Sequence, residues 1–316
     1  MTAPCASVDV VTLGETMLLL LATDGLPSSQ APMFSATIAG AEANVACGVA
    51  RLGHAVTIFG RVGTDPSGQR VRARLRGEGV DTTHIVTDPQ RATGLLLRDA
   101  PAGRPVTVEY HRTGSAGAAL HPDDIDLKVL ARSRILHVTG VTAALSDTAF
   151  AAVDVAMDTA RERGVHVSFD PNVRLRLADV QTWCDLTARL LPKADTVLIG
   201  DAEMLALGIA DPHAVLDAGP SIVVVKRGAD GADATDRTRS WHQPARRVPV
   251  VDPVGAGDAF AAGWLSAHLD ELPIPDRLER ACAVASFVVA TRGDIEGLPT
   301  HNELDELGPA GADVLR

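Results

Sequence analysis

Short apolar runs alternate with amphipathic stretches through the second half of the chain. Residues 134–139 (RILHVT), 165–170 (VHVSFD), 196–199 (TVLI) and 222–226 (IVVVK) read as buried strands. Between them, 146–163, 179–191 and 201–217 carry a helical periodicity. This alternation predicts a doubly wound α/β fold, a mostly parallel sheet with helices on both faces. In the first half, 8–13 (VDVVTL) and 56–60 (VTIFG) supply further core strands, and 41–52 (AEANVACGVARL) a helix between them.

Four segments fit this scheme badly: 17–21, 33–38, 93–98 and 105–112. Each is short and β-prone, and Pro/Gly-rich turns such as 99–105 (DAPAGRP) separate them. They predict a small second sheet assembled from insertions between the core units. The length of 316 residues suits two domains at ~150 residues each, or one large α/β domain with an appendage. The polar stretch after Pro299 is expected to close the surface.

Composition narrows the function classes. Hydrophobic residues at 46% and charged residues at 22% support a sizeable core and argue against disorder. The net charge of −11 argues against a nucleic-acid partner, but local arginines can still hold an anionic ligand. No apolar run reaches the ~18 residues of a membrane span, and 281–290 (ACAVASFVVA) is among the longest. The first ten residues, MTAPCASVDV, lack the basic start of a secretory signal, so a soluble, cytoplasmic protein is expected. Cys5, Cys47, Cys184 and Cys282 form no CxxC pair, and no HExxH occurs, so no zinc or dithiol site is indicated. Lysine appears only as Lys128, Lys193 and Lys226, so an anion site must rely mainly on Arg or backbone N–H groups.

The strongest local signal is 251–260 (VDPVGAGDAF), followed by a helical run over 259–270. Glycines there let the backbone approach a ligand, and the free N–H groups of the first helical turn point forward. Gly255, Ala256 and Gly257 thus form an anion hole suited to a phosphate, with Asp258 beside it. The same residues also fit an Asp that merely stabilises a helix N-terminus behind a Gly turn. There is no GxxxxGK[ST] motif, and the third glycine of a dinucleotide fingerprint is missing, which disfavours an oxidoreductase.

The segment 252–263 (DPVGAGDAFAAG) resembles the C-terminal signature of the ribokinase-like (PfkB) carbohydrate kinases. Residues 40–46 (GAEANVA), 50–53 (ARLG) and 60–68 (GRVGTDPSG) resemble the N-terminal signature of that family. The resemblance spans nearly the whole chain. It implies one kinase domain over 1–316, with a discontinuous β-sheet lid from about 15–38 and 92–113. Within the family the sequence looks most like 2-keto-3-deoxygluconate kinases, on 13–17 (LGETM), 110–112 (YHR), 114–116 (GSA), 169–174 (FDPNVR) and 292–299 (RGDIEGLP).

That likeness implies an ATP- and Mg²⁺-dependent kinase acting on a keto-deoxy sugar acid, with Asp258 accepting the proton of the attacking hydroxyl. Gly40 and Asn44 would contact sugar hydroxyls. Tyr110 and Arg112 would reach from the lid, and Arg174 from the end of the 165–170 strand. Lys226, Gly228 and Gly231 would lie beside the ATP phosphates, although the same segment also reads as an ordinary Gly-rich hairpin turn. Ser286, within 283–286, would flank the adenine. Glu203 would accept hydrogen bonds from Mg²⁺-bound water, although Gly200 stands where the family commonly has Asn. Asp252 would help hold a monovalent-cation (K⁺) loop. The lid's outer face is expected to pair with a second subunit, giving a homodimer or higher homo-oligomer. A fructokinase, ribokinase or nucleoside kinase of the same family remains open, as does a catalytically weak sugar sensor.

Overall fold

The computed structural model describes residues 8–99 and 106–306. Thirteen strands are formed among them. They are β1 (Val10–Leu13), β2 (Met17–Ala22), β3 (Phe34–Ala39), β4 (Val56–Gly63), β5 (Ile85–Asp88), β6 (Leu95–Arg98), β7 (Val108–His111), β8 (Ile135–Thr139), β9 (His166–Asp170), β10 (Thr196–Gly200), β11 (Ile222–Lys226), β12 (Ala232–Thr235) and β13 (Ser240–Gln243). Nine of them make one sheet, in the order β13-β12-β11-β10-β9-β8-β1-β4-β5. All neighbours from β11 to β5 are parallel, and β12 and β13 add an antiparallel edge. The continuous apolar runs of β1, β8 and β11 follow from burial on both faces, as in a parallel sheet covered by helices.

Helices Ala41–Arg51, Ala256–Leu269 and Ile274–Val289 pack on one face. Helices Asp147–Arg163 and Val180–Leu190 pack on the other. Helix Ala256–Leu269 is apolar almost all round because it is wedged between the sheet and the helix Ile274–Val289. The expected single helix over 201–217 is instead two, Asp201–Ala206 and Pro212–Asp217. Gly208 ends the first in the left-handed region, at φ 69°. Asp211 caps the second by accepting from His213 N at 2.7 Å.

The remaining four strands form a separate sheet in the order β3-β2-β6-β7. These are the segments that broke the sequence pattern, with slightly shifted bounds; residues 100–105 of the expected turn and strand lie outside the described residues. Alternation sends Met17, Leu19 and Leu21 inward with Leu96 and Arg98, while Leu18, Leu20, Leu95 and Leu97 face out.

In the large sheet, the chain runs from β1 to β4 and β5 on one side, then returns to β8 and continues through β11 on the other. That reversal beside β1 is where an open α/β sheet leaves a crevice at its carboxyl edge. The small sheet lies over it. No described helix is long and apolar enough to cross a membrane.

Candidate active site

A cavity of about 860 Å³ opens at that edge, between the small sheet and the ends of the core strands. Its floor is the start of helix Ala256–Leu269. Gly255 caps this helix at φ 84°, a conformation that L-residues avoid. A Cβ there would also come within 2.8 Å of the Asp294 carbonyl oxygen. Gly255, Gly257 and Asp258 all line the cavity.

Asp258 Oδ2 accepts from Asn44 Nδ2 at 2.8 Å, and Oδ1 from Asn172 Nδ2 at 3.4 Å. Burial pushes its carboxyl up to about 7. The Asn44 hydrogen bond and Arg174 oppose the rise, while Asp170 and Asp294 add to it. Such a group gains and loses a proton near neutral pH, which suits a general base. The expectation for Asn44 needs refining, because its amide N–H₂ holds Asp258 and reaches Asp294 at 3.4 Å. Its buried Oδ1, like that of Asn172, has no hydrogen-bond partner among the described residues. Two such acceptors lining one cavity suit a ligand rich in hydroxyl donors.

Gly40 also lines the cavity and starts the helix Ala41–Arg51 at φ 147°. A side chain there would strike the Glu15 carbonyl oxygen, so the position is restricted to glycine. Lys226, at the end of β11, is half-buried and pairs with Asp170 at 2.5 Å. A Cβ on Gly257 would stand 3.7 Å from its Nζ, so the ammonium lies beside the first turn of helix Ala256–Leu269.

The loop after β9 is held from three sides. Asn172 sits at φ 46° and donates its N–H to Asp170 Oδ1 at 3.0 Å, Val173 N donates to Glu203 Oε1 at 3.0 Å, and Trp183 Nε1 donates to the Arg174 carbonyl at 3.3 Å. Arg174 is thereby carried to the cavity with its side chain 51% exposed, 3.8 Å from Glu203. Glu203 Oε2 accepts from Gly200 N at 2.7 Å, so it caps its own helix as well as holding Val173. Each of its oxygens accepts one N–H and has room for another donor, and the residue lines the cavity, which fits a metal-bound water. Among the described residues no three His, Cys, Asp or Glu side chains converge as a metal cage.

From the small sheet come Tyr110 and Arg112, whose guanidinium carbon lies 5.1 Å from the tyrosine ring centre. Arg112 is not a free charge, as it pairs with the buried Glu15. Glu15 in turn accepts from Ser115 Oγ at 2.9 Å. The 13–17 and 114–116 motifs therefore meet here, to hold Arg112 in place.

Two residues expected at the site have partners that the sequence does not show. The first is Asp252. Its Oδ1 takes Val254 N at 3.2 Å and Arg98 Nη1 at 3.4 Å, and its Oδ2 takes Arg98 Nη2 at 2.9 Å and Gly293 N at 3.1 Å. With four donors on two oxygens and a guanidinium against it, the side chain does not fit a K⁺ ion. The second concerns Ser286, which is buried and donates to its own helix at Ala283 O, 2.7 Å away. It does not line the cavity, and neither do Gly228, Gly231 or Ala256. Gly228 and Gly231 do form the tight antiparallel turn between β11 and β12.

Sequence reasoning missed Arg98, Asp294 and Glu42. Arg98 ends the run LLLR on the inward face of β6, and an inward charge on a half-buried strand is itself a signal. Glu42 lies buried on the cavity wall, accepting from the Thr139 hydroxyl at 2.7 Å, and burial pushes it up to about 7. Asp294, pushed up to about 6 by burial, joins Asn44 to Arg98.

Comparison with known proteins supplies the context. Residues 8–301 match the pattern of the pfkB family carbohydrate kinases. A 2-dehydro-3-deoxygluconokinase of Thermoproteus tenax is 34% identical, over 96% of this chain and 94% of its own. One from Bacillus subtilis is 36% identical, over 94% of both chains. A fructokinase of Klebsiella pneumoniae is 34% identical, over 84% of this chain and 90% of its own. Among solved structures, a protein named as a ribokinase II from E. coli, in complex with ATP and Mg²⁺, superposes with a TM-score of 0.87 at 27% identity, over 95% of this chain and 98% of its own.

Proposed function

Because the chain belongs to the pfkB family of carbohydrate kinases, we propose that it transfers the γ-phosphoryl group of ATP to a hydroxyl of a keto-deoxy sugar acid, with 2-keto-3-deoxygluconate the substrate its site fits best. The observation that carries this reading is that Tyr110, Arg112 and Arg174 line the same cavity as Asp258. A neutral sugar gains little from two guanidinium groups, whereas a carboxylate gains charge-assisted, bidentate hydrogen bonds.

In this reading Arg112, braced by Glu15, and Arg174 hold the carboxylate. Asn44 Oδ1 and Asn172 Oδ1 accept from sugar hydroxyls. Asp258 takes the proton of the attacking hydroxyl as its oxygen bonds to the γ-phosphorus, and the bond to the departing ADP breaks. The N–H groups of 255–258 and Lys226 offset the charge on the transferred group. Glu203 would hold Mg²⁺ through a bound water, and the ion would supply charge neutralisation for the phosphates. Glu203→Gln should therefore raise the Mg²⁺ concentration for half-maximal rate more than it raises the sugar KM. An unchanged Mg²⁺ dependence would leave Glu203 as a cap for its helix and for Val173.

The reading is tested by kcat/KM on the unmodified protein for 2-keto-3-deoxygluconate, fructose and ribose. A preference for either neutral sugar would sink the substrate assignment and favour the fructokinase-like alternative that the Klebsiella relative represents.

The outward face of the small sheet is proposed to pair with a second copy of the chain. Leu18 stands opposite Leu95, and Leu20 opposite Leu97, all half-buried on one face. A contiguous apolar patch on an uncovered sheet face is the kind of surface that another protein chain covers. Light scattering should report a dimer that Leu20→Lys with Leu97→Lys converts to a monomer; a monomeric parent protein would refute the pairing.

A further inference from the structure

Arg98 lies at the end of β6, in the small sheet, yet its guanidinium is buried at the phosphate end of the cavity, with the residue 1% exposed. It meets Asp252 at 2.9 Å and Asp294 at 2.9 Å. These two acids flank the anion hole. Asp252 opens the 252–258 loop and orients Val254 N, while the backbone of Asp294 packs against Gly255. The segment carrying Asp294 is further tied to the small sheet and the strand ends beside it. Thr37 Oγ1 on β3 donates to Glu296 at 2.5 Å, and Arg292 Nη1 to the Thr23 carbonyl at 3.1 Å.

We propose that Arg98 is a tethered cation that holds the phosphate-binding loop in its working shape, so that nucleotide binding and turnover need no monovalent metal ion. The inference rests on the kinase reading of the cavity. Two buried carboxylates beside a phosphate site repel the incoming phosphates unless a cation lies between them. The Arg98 guanidinium hydrogen-bonds Asp252 through two nitrogens and ion-pairs with Asp294. Because it is covalently part of the chain, it is present at full occupancy whatever salt surrounds the protein. Asp252 supports the arrangement from the other side, since its oxygens are already filled by Arg98 and two backbone N–H groups. Arg98 is a positioning residue: its contacts run to the two acids and through them to the loop.

The test measures AMP-PNP affinity by calorimetry, and turnover in parallel, in KCl and in choline chloride of equal ionic strength. The unmodified protein should bind within about twofold in the two salts, since screening is matched. Arg98→Met should weaken binding by about tenfold or more, the scale expected when buried carboxylates are left without their charged partner, with Arg98→Lys recovering most of it. K⁺ or low guanidinium chloride should partly restore Arg98→Met, which a purely structural loss would not permit. A fall of more than about tenfold for the parent protein in choline, or unchanged binding by Arg98→Met, would overturn the proposal. If Arg98→Met fails to fold, the salt exchange on the parent protein and the Arg98→Lys affinity decide the matter. Salt-independent, Arg98-dependent nucleotide binding without phosphorylation of any sugar would instead overturn the kinase reading and leave this one standing.

Discussion

Asp258→Asn should lower kcat by at least ~10²–10⁴-fold, the range for loss of a general base, while sugar and nucleotide affinities stay near those of the parent protein. The side chain sits in the first turn of helix Ala256–Leu269, beside the Gly255–Gly257 backbone proposed to receive the phosphoryl group. Asparagine keeps the shape and can still meet Asn44 after an amide flip, so the fold has no reason to change. What it removes is the carboxylate proposed to take the proton. The pH profile gives an independent check. Burial pushes Asp258 up to about 7, and only its ionised form is a base. The rate of the parent protein, as kcat/KM, should therefore be high above that pH and fall as pH drops through about 7. A variant that retains the parent kcat, or a parent profile flat down to the ordinary carboxylate range, would remove Asp258 from the catalytic role.

The second large effect concerns the sugar. Arg174→Leu should raise KM for 2-keto-3-deoxygluconate by roughly ten- to hundredfold, the ~1.5–3 kcal/mol of a hydrogen bond to a charged group. Any weak activity on neutral hexoses should change little. The smaller end of that range is favoured by the 51% exposure of the side chain, since water screens a half-exposed pair. Arg112 is the more buried of the two, but its removal also strands Glu15 without its partner, so that variant mixes substrate binding with stability. Arg174→Leu is cleaner for this reason, and it carries a second readout. Arg174 lowers the pKa of Asp258, so its loss should move the acid limb of the pH profile upward. Equal losses on sugar acid and neutral sugar would mean that Arg174 acts on the loop rather than on a carboxylate.

Much of this protein was legible along the chain because its signals are local. The continuous apolar runs of β8, β9 and β11 reflect burial on both faces of a sheet, and that burial is set by neighbours two residues apart. The segments that became the small sheet declared themselves by failing the same pattern. Gly255 and Asp258 were legible because a glycine cap and an acid in the next turn form one local unit. The break at Gly208 and Pro212 was also local, and the apolar periodicity on either side of it hid the turn.

The charge pairings were decided by tertiary structure alone. Arg98 reaches Asp252 across 154 positions, and Asn44 reaches Asp258 across 214. A buried charge is tolerable only beside its partner, and the partner is chosen by which loops the strand order brings to the carboxyl edge. No periodicity along the sequence encodes that choice. The resemblance to kinases therefore implies a cation loop at Asp252, while in the folded chain an arginine from another sheet already pairs with it. The resemblance likewise implies that Arg112 reaches the sugar from the lid, and folding also gives it Glu15 as a partner.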